Sequence, residues 1–281
     1  SRININLRFK LLIILLFVLS GTKINAHGDL HKRILNVTEE IKKYPDSANL
    51  YFKRGILYYQ HKNYPNSLND FKSSKGLGFE SIEQDFYLAK INYHLENYHR
   101  AKKLIKKILR EESANTDALK LLADIYFRKD DYKKSAMLYD ELIQKSEVTF
   151  PEHYLYASKS WYATKTNIGY GRAQSILIEG IEKLGDIIVL YNQLISNYID
   201  LKEFDSAVKF QEKVIEISNR KERAFLKLAN IQIRQQDYKE ALLSISKAEE
   251  SYRELPHRLR NTEFMKKFYA ELQSKKLSLK K

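Results

Sequence analysis

Residues 119–143 read LKLLADIYFRKDDYKKSAMLYDELI, and the apolar spacing on either side of Asp130-Asp131-Tyr132 decides the class of fold. Ahead of the tyrosine, Leu119, Leu122, Ala123 and Tyr126 fall at i, i+3, i+4 and i+7, which gathers them on one face of an α-helix. Behind it, Ser135, Tyr139, Leu142 and Ile143 form a second stripe, with a small residue near its start where two packed backbones must approach. The unit predicted is helix, turn, helix.

The same tag, a polar residue, an aromatic and a small residue three further on, recurs along the chain. It is found at Asn63-Tyr64 with Ser67, Asn97-Tyr98 with Ala101, Asp131-Tyr132 with Ser135, Gly169-Tyr170 with Ala173, Glu203-Phe204 with Ala207 and Asp237-Tyr238 with Ala241. Tyr64, Tyr98 and Tyr132 lie 34 residues apart, as do Tyr170, Phe204 and Tyr238, while Tyr132 and Tyr170 are 38 apart. A fixed period of this length is the mark of a repeat array. The interruption predicts a four-residue insertion around Thr164 to Gly171 that lengthens the turn inside the fourth unit. Small residues also recur in the first helices as Gly55, Ala89, Ala123 and Ala229. Ile195 departs from that series, which predicts a splayed fifth unit.

At these residues the chain resembles the tetratricopeptide repeat, over about residues 48–249 in six units. The resemblance implies an all-α fold, a right-handed superhelical solenoid of helix-turn-helix repeats. Capping helices are expected at both ends: residues 27–47, with Leu30, Ile34, Val37 and Ile41 as the buried stripe, and residues 250–281, with Phe264, Phe268 and Leu272 followed by a polar, frayed basic tail beyond Ser274. The segments His27-Gly28-Asp29-Leu30-His31 and Leu255-Pro256-His257-Arg258-Leu259-Arg260-Asn261-Thr262 resemble the ends of a bacterial family of exported tetratricopeptide proteins.

Proteins of the tetratricopeptide family hold an extended or helical peptide in a concave groove lined by first helices. Carried onto this sequence, the groove comprises Phe52, Ile56, Tyr59, Phe86, Lys90, Tyr93, Lys120, Asp124, Phe127, Tyr154, Trp161, Asn192, Ser196 and Asn230. Aromatics dominate its N-terminal half, as in surfaces that anchor protein partners. The Lys, Arg and Asn cluster with which some members grip an acidic C-terminus is missing.

Residues 1–26 read as a cleavable signal peptide: Arg2, Arg8 and Lys10 precede an apolar run from Leu11 to Leu19, polar residues follow, and cleavage is expected near Ala26. The run is short of the roughly 20 residues that span a bilayer. The expectation is export to the periplasm or beyond, in a bacterium of Gram-negative type. Without those residues the chain keeps all its acids and loses four cations, so the formal charge falls from +14 to +10.

Chemistry of the usual enzymatic kinds finds no material. There is no cysteine, hence no disulfide, thiolate ligand or cysteine nucleophile. No Gly-rich phosphate loop or Gly-x-Ser-x-Gly elbow occurs, and His27, His31, His61, His94, His99, His153 and His257 form no zinc-hydrolase pattern. No catalytic residue and no cofactor are expected. One metal alternative is the mature terminus, where the amine and imidazole of His27, with Asp29 and His31, would offer ligands to copper or nickel. Pairs such as Glu39-Glu40 and Glu249-Glu250 are expected to be solvated, because adjacent residues on a helix point to different faces. Lys and Arg are interspersed with acids, so no nucleic acid is expected. The densest cluster, Lys102, Lys103, Lys106, Lys107 and Arg110, fits an anionic envelope lipid or polymer better. The reading is a non-enzymatic scaffold for a protein partner in the cell envelope, with a basic adaptor at an anionic surface as the alternative.

Overall fold

The computed structural model describes residues 28–279, and among them every regular element is a helix. Residues 28–43 form α1, followed by α2 (Ala48–Gln60), α3 (Tyr64–Gly76), α4 (Ile82–His94), α5 (Tyr98–Glu111), α6 (Thr116–Arg128), α7 (Tyr132–Lys145) and α8 (Pro151–Ala163). Then come α9 (Asn167–Leu184), α10 (Ile188–Asp200), α11 (Phe204–Ile217), α12 (Lys221–Arg234), α13 (Tyr238–Arg253), the single turn α14 (His257–Arg260) and α15 (Glu263–Ser278). The signal peptide expected over residues 1–26, and His27, lie outside the described residues. The chain divides into two compact units, Ser1–Ile125 and Tyr126–Lys281, with the division inside α6.

The tag has a local explanation. Its polar residue is the N-cap of the second helix in five of the six repeats, and in three of them the side chain caps: Asn63 accepts from the Asn66 amide, Asp131 from Lys134 and Asp237 from Glu240, each satisfying one of the amides a helix start leaves unpaired. Its aromatic opens the helix and closes over the last turn of the helix before, as Tyr64 does on Tyr59 (5.8 Å), Tyr98 on Tyr93 (5.8 Å) and Tyr132 on Phe127 (5.1 Å). Its small residue is fully buried in all six units.

One residue ahead of each N-cap the backbone turns left-handed, at Lys62, Glu96, Asp130, Lys165, Lys202 and Gln236, with φ between 53° and 67°. In five of these turns the residue after the left-handed one sends its amide back five residues, as Asn63 does to the Tyr58 carbonyl (2.9 Å), the Schellman way of ending a helix. Glycine is the usual occupant of that position, and none of the six is glycine.

Unit four corrects the sequence reading. The turn between α8 and α9 spans residues 164–166, the same length as the others, so the insertion does not lengthen it. Instead α9 starts three residues ahead of Tyr170, and the loop 146–150 is one residue longer than its counterpart 112–115; together these are the four. The N-cap is accordingly Thr166. Gly169 sits where the added helical residues fold over the end of α8: a Cβ there would stand 2.6 Å from the Trp161 carbonyl oxygen and 2.0 Å from Thr164 Oγ1. The aromatic closure survives through Tyr162 and Tyr170 at 4.8 Å.

Within the first unit, Ile34, Val37 and Ile41 of α1 bury against Leu57 of α2. A second cluster, Phe71, Leu88 and Ile91, joins α3 to α4, and Gly55 lets α2 approach so closely that a Cβ would lie 2.9 Å from the Phe71 ring. Three helices are also tied by Arg54, which donates to both oxygens of the buried Asp70 (2.7 Å each) and to Thr38 (3.1 Å).

Within the second unit, α12 and α13 pack closely and bury Ala229, Ile245 and Ala248 against Phe268 and Leu272 of α15. Helices α10 and α11 approach less closely than α12 and α13, on the hairpin that carries buried Ile195 in the small-residue position. Phe264 is not part of the cap stripe: it is 57% exposed, and Met265, at 3%, takes the buried place. The basic tail is not frayed up to Ser278, because α15 continues through it. Glu249 is buried rather than solvated and draws in Arg253 (2.6 Å), Tyr269 (3.3 Å), Gln273 (3.2 Å) and Lys276 (2.6 Å). Hydrogen bonds from Lys276 first and Gln273, with the charges of Lys276 and Arg253, hold its carboxyl below the usual carboxylate range against the opposing effect of burial.

Candidate functional site

The residues expected to share one groove fall into two sets. In the first unit, Phe52, Ile56 and Tyr59 pack on the Phe71, Leu88 and Ile91 core, with Phe52 5.7 Å from Phe71 and 4.6 Å from Phe79. Lys90 lies over the rings of Phe86 (4.3 Å), Tyr87 (4.9 Å) and Tyr59 (5.6 Å), and desolvation there pushes its pKa below the ordinary lysine value. Lys120 and Asp124 form an ion pair at 3.1 Å along α6. Much of the predicted aromatic surface is thus occupied with the unit's own turns and core. Tyr59 and Tyr93 serve as turn closures, and in the second unit Phe127 does the same against Tyr132 while keeping an exposed edge.

Two of the residues assigned to the groove are elsewhere. Tyr154 is fully buried: its ring fills the space beside Gly180, where a Cβ would come within 2.7 Å, and its hydroxyl lies 3.2 Å from Thr149 Oγ1. Trp161 turns to the preceding second helix, donating through Nε1 to Asp140 Oδ2 (3.1 Å), an oxygen it shares with Arg172 (3.3 Å). An amphipathic stripe in the sequence shows that such a ring is on a packed helix without showing which neighbour it packs against.

Asn192, Ser196 and Asn230 do come together. They line a cavity of about 500 Å3 in the second unit, formed by α10, α12 and one residue of α11. The same cavity includes Ile195, Ile199, Asp200, Gln211, Lys227, Ile231 and Arg234, which the sequence reading missed. The signal was present: Asn192, Ile195, Ser196, Ile199 and Asp200 repeat at helical spacing, as do Lys227, Asn230, Ile231 and Arg234. Ile195, Ile199 and Ile231 supply apolar walls, while Asn192, Asn230, Lys227, Arg234 and Asp200 supply polar groups. Lys227 reaches across from α12 to Asn192 Oδ1 (3.4 Å), and Gln211 secures the back by donating to the Ala224 carbonyl (2.9 Å). Each asparagine carries one donor end and one acceptor end, which matches the two hydrogen-bonding groups of a peptide unit.

Asp29 and His31 are exposed on α1. Among the described residues no three His, Asp or Glu side chains gather as a metal set.

The tetratricopeptide-repeat family model matches residues 88–147, the segment holding the second and third tags. Residues 88–147 carry the tetratricopeptide repeat. Solved structures, two of them of tetratricopeptide proteins, extend the likeness beyond that segment. One from Parabacteroides merdae is 17% identical, covering 88% of this chain and 93% of its own, with a TM-score of 0.55. The C-terminal part of a repeat protein from Cytophaga hutchinsonii is 14% identical, covering 79% of this chain and 94% of its own, with a TM-score of 0.67. The pilF protein of Pseudomonas aeruginosa is 13% identical over 80% of this chain and 97% of its own, with a TM-score of 0.50. At such identities the likeness is one of fold, the all-α tetratricopeptide-repeat fold. No curated protein sequence matches the chain. Tetratricopeptide repeats are typically non-catalytic scaffolds for protein–protein interaction.

Proposed function

We propose that the chain is a non-enzymatic adaptor that holds a peptide or protein segment in the cavity between α10 and α12. The observation that carries this reading is the pairing of Asn192 and Asn230, one on each first helix, over walls of Ile195, Ile199 and Ile231. The amides suit a peptide backbone, the isoleucines suit one apolar side chain of it, and Lys227 and Arg234 against the single acid Asp200 favour an acidic segment. The apolar run Leu11–Leu19 behind Arg2, Arg8 and Lys10 and the lack of cysteine support an exported adaptor, working in the cell envelope.

The test places a photo-crosslinking residue at Ser196, which is exposed at the cavity. The reading expects a discrete adduct whose identity mass spectrometry supplies, and its loss in Asn192→Ala/Asn230→Ala. An adduct that persists unchanged in the double variant refutes the assignment. N-terminal sequencing of the protein recovered from the envelope tests export; a chain that still carries residues 2–26 refutes it.

A further inference from the structure

We propose that the outer face of α5 docks the protein on an anionic lipid surface, a contact separate from the peptide cavity. Helix α5 has the sharpest division of faces in the first unit. Ala101, Ile105 and Ile108 are buried, at 1% exposure or less, while Arg100, Lys103, Lys106 and Arg110 are exposed on the opposite side. The spacing of those four, 100, 103, 106 and 110, keeps them within one third of the helix circumference, along about 15 Å of its length. None of the four has an ion-pair partner among the described residues.

The face continues past α5. Lys107 is bound to buried Asp85 at 2.6 Å, and Lys75 from α3 approaches the other oxygen of the same carboxylate at 3.9 Å, so one acid of α4 gathers cations from both second helices. Glu111, in the last turn, is the only acid on the helix.

What the face lacks selects the partner. Tyr98 is turned edge-on to Tyr93, and the exposed imidazole of His99 is the one ring on the cation face of α5, short of the series of rings on which successive bases of a strand would stack. Between the four cations there is no exposed apolar side chain to anchor a protein hot spot. Such a surface senses charge density alone, and a row of cations on one side of a helix meets a plane of lipid phosphates together.

The test is sedimentation of the full chain with vesicles of phosphatidylcholine alone and of phosphatidylcholine with one third phosphatidylglycerol, at low and at high salt. Neutral vesicles measure any contribution of the apolar run Leu11–Leu19, which charge does not influence. The proposal expects excess binding to the anionic vesicles that high salt removes. It expects Arg100→Gln/Lys103→Gln/Lys106→Gln/Arg110→Gln to reduce that excess by at least about tenfold. Lys183→Gln/Lys202→Gln/Lys239→Gln/Lys267→Gln, with the same net charge, is expected to keep it; unfolding curves of both variants confirm that each is folded. Equal binding to both vesicle types, equal losses in the two quadruple variants, or capture by soluble polyphosphate without vesicle binding would each overturn the proposal. Crosslinking at Ser196 in the α5 variant stays as in wild type, which separates this surface from the cavity.

Discussion

Replacing the left-handed turn residues by glycine should make the protein more stable, although it removes side chains and adds none. A residue with a Cβ is strained in the left-handed region by about 1–2 kcal/mol, and glycine is not. Against this, glycine loses about 0.4–1 kcal/mol more in chain entropy on folding. The difference leaves a gain of about 0.5–1 kcal/mol at each site. Lys165, Lys202 and Gln236 suit the experiment, since all three are exposed in the second unit with φ of 53°, 60° and 67°. Asp130 does not, because it accepts a hydrogen bond from Tyr132 at 2.6 Å. The three sites are far apart along the chain, so Lys165→Gly/Lys202→Gly/Gln236→Gly should gain about 2 kcal/mol. Denaturant unfolding reads this as a higher midpoint at unchanged slope. The matching alanine triple keeps every Cβ and should leave the midpoint within error of wild type. A glycine triple no more stable than the alanine triple would refute the argument, because the strain would then not reside in these backbones.

Gly169→Ala should destabilise by about 2 kcal/mol or more, since the methyl group meets a backbone carbonyl that no rotamer can move. Gly76→Ala, in a helix with open space around it, should stabilise by about 0.5–1 kcal/mol, and thermal unfolding of the pair checks the contrast. Arg54→Met leaves Asp70 buried without its cation and should lose about 3 kcal/mol, most of which Arg54→Met/Asp70→Leu restores; equal losses in both variants would show that the pair is not the cause. Glu249 has a depressed carboxyl pKa in the fold, so its contribution is present above the unfolded value of about 4.3 and is lost as pH falls through the lower folded value. Hydrogen exchange in α15 should therefore accelerate as pH drops below 4 relative to the rest of the chain, and Glu249→Gln should abolish that dependence.

The repeat was legible because its marks are local. An N-cap, an aromatic closure and a small buried residue all act within a few residues of Tyr64, Tyr98 or Tyr132, so their spacing survives in the sequence. The misses share one cause: a helical stripe tells that a side chain is packed, but its partner belongs to another part of the chain. Tyr154 answers to Gly180, and Trp161 to Asp140. The rule that neighbours on a helix face different ways was sound for Glu249 and Glu250, yet one of those ways was the core, where Lys276 waited 27 residues downstream. Phe264 and Met265 exchanged places because α15 restarts at Glu263 after a separate turn, and a one-residue change of phase decides which of two adjacent apolar residues is inside. Asn192, Ser196 and Asn230 lie on the first helices α10 and α12, and the cavity they line depends on how those two helices pack, which no local spacing records.

The early start of α9 bears on how an array of this kind can vary in length. Three added helical residues turn the chain through about 300°, which returns the Tyr170 and Ala173 stripe to within about 60° of its former bearing. One added residue would swing it by about 100° and two by about 200°, carrying Ala173 away from α8. Growth at this position is therefore stepwise, close to whole helical turns, and each step demands a residue without a side chain where the new turn crosses its neighbour, the place that Gly169 fills.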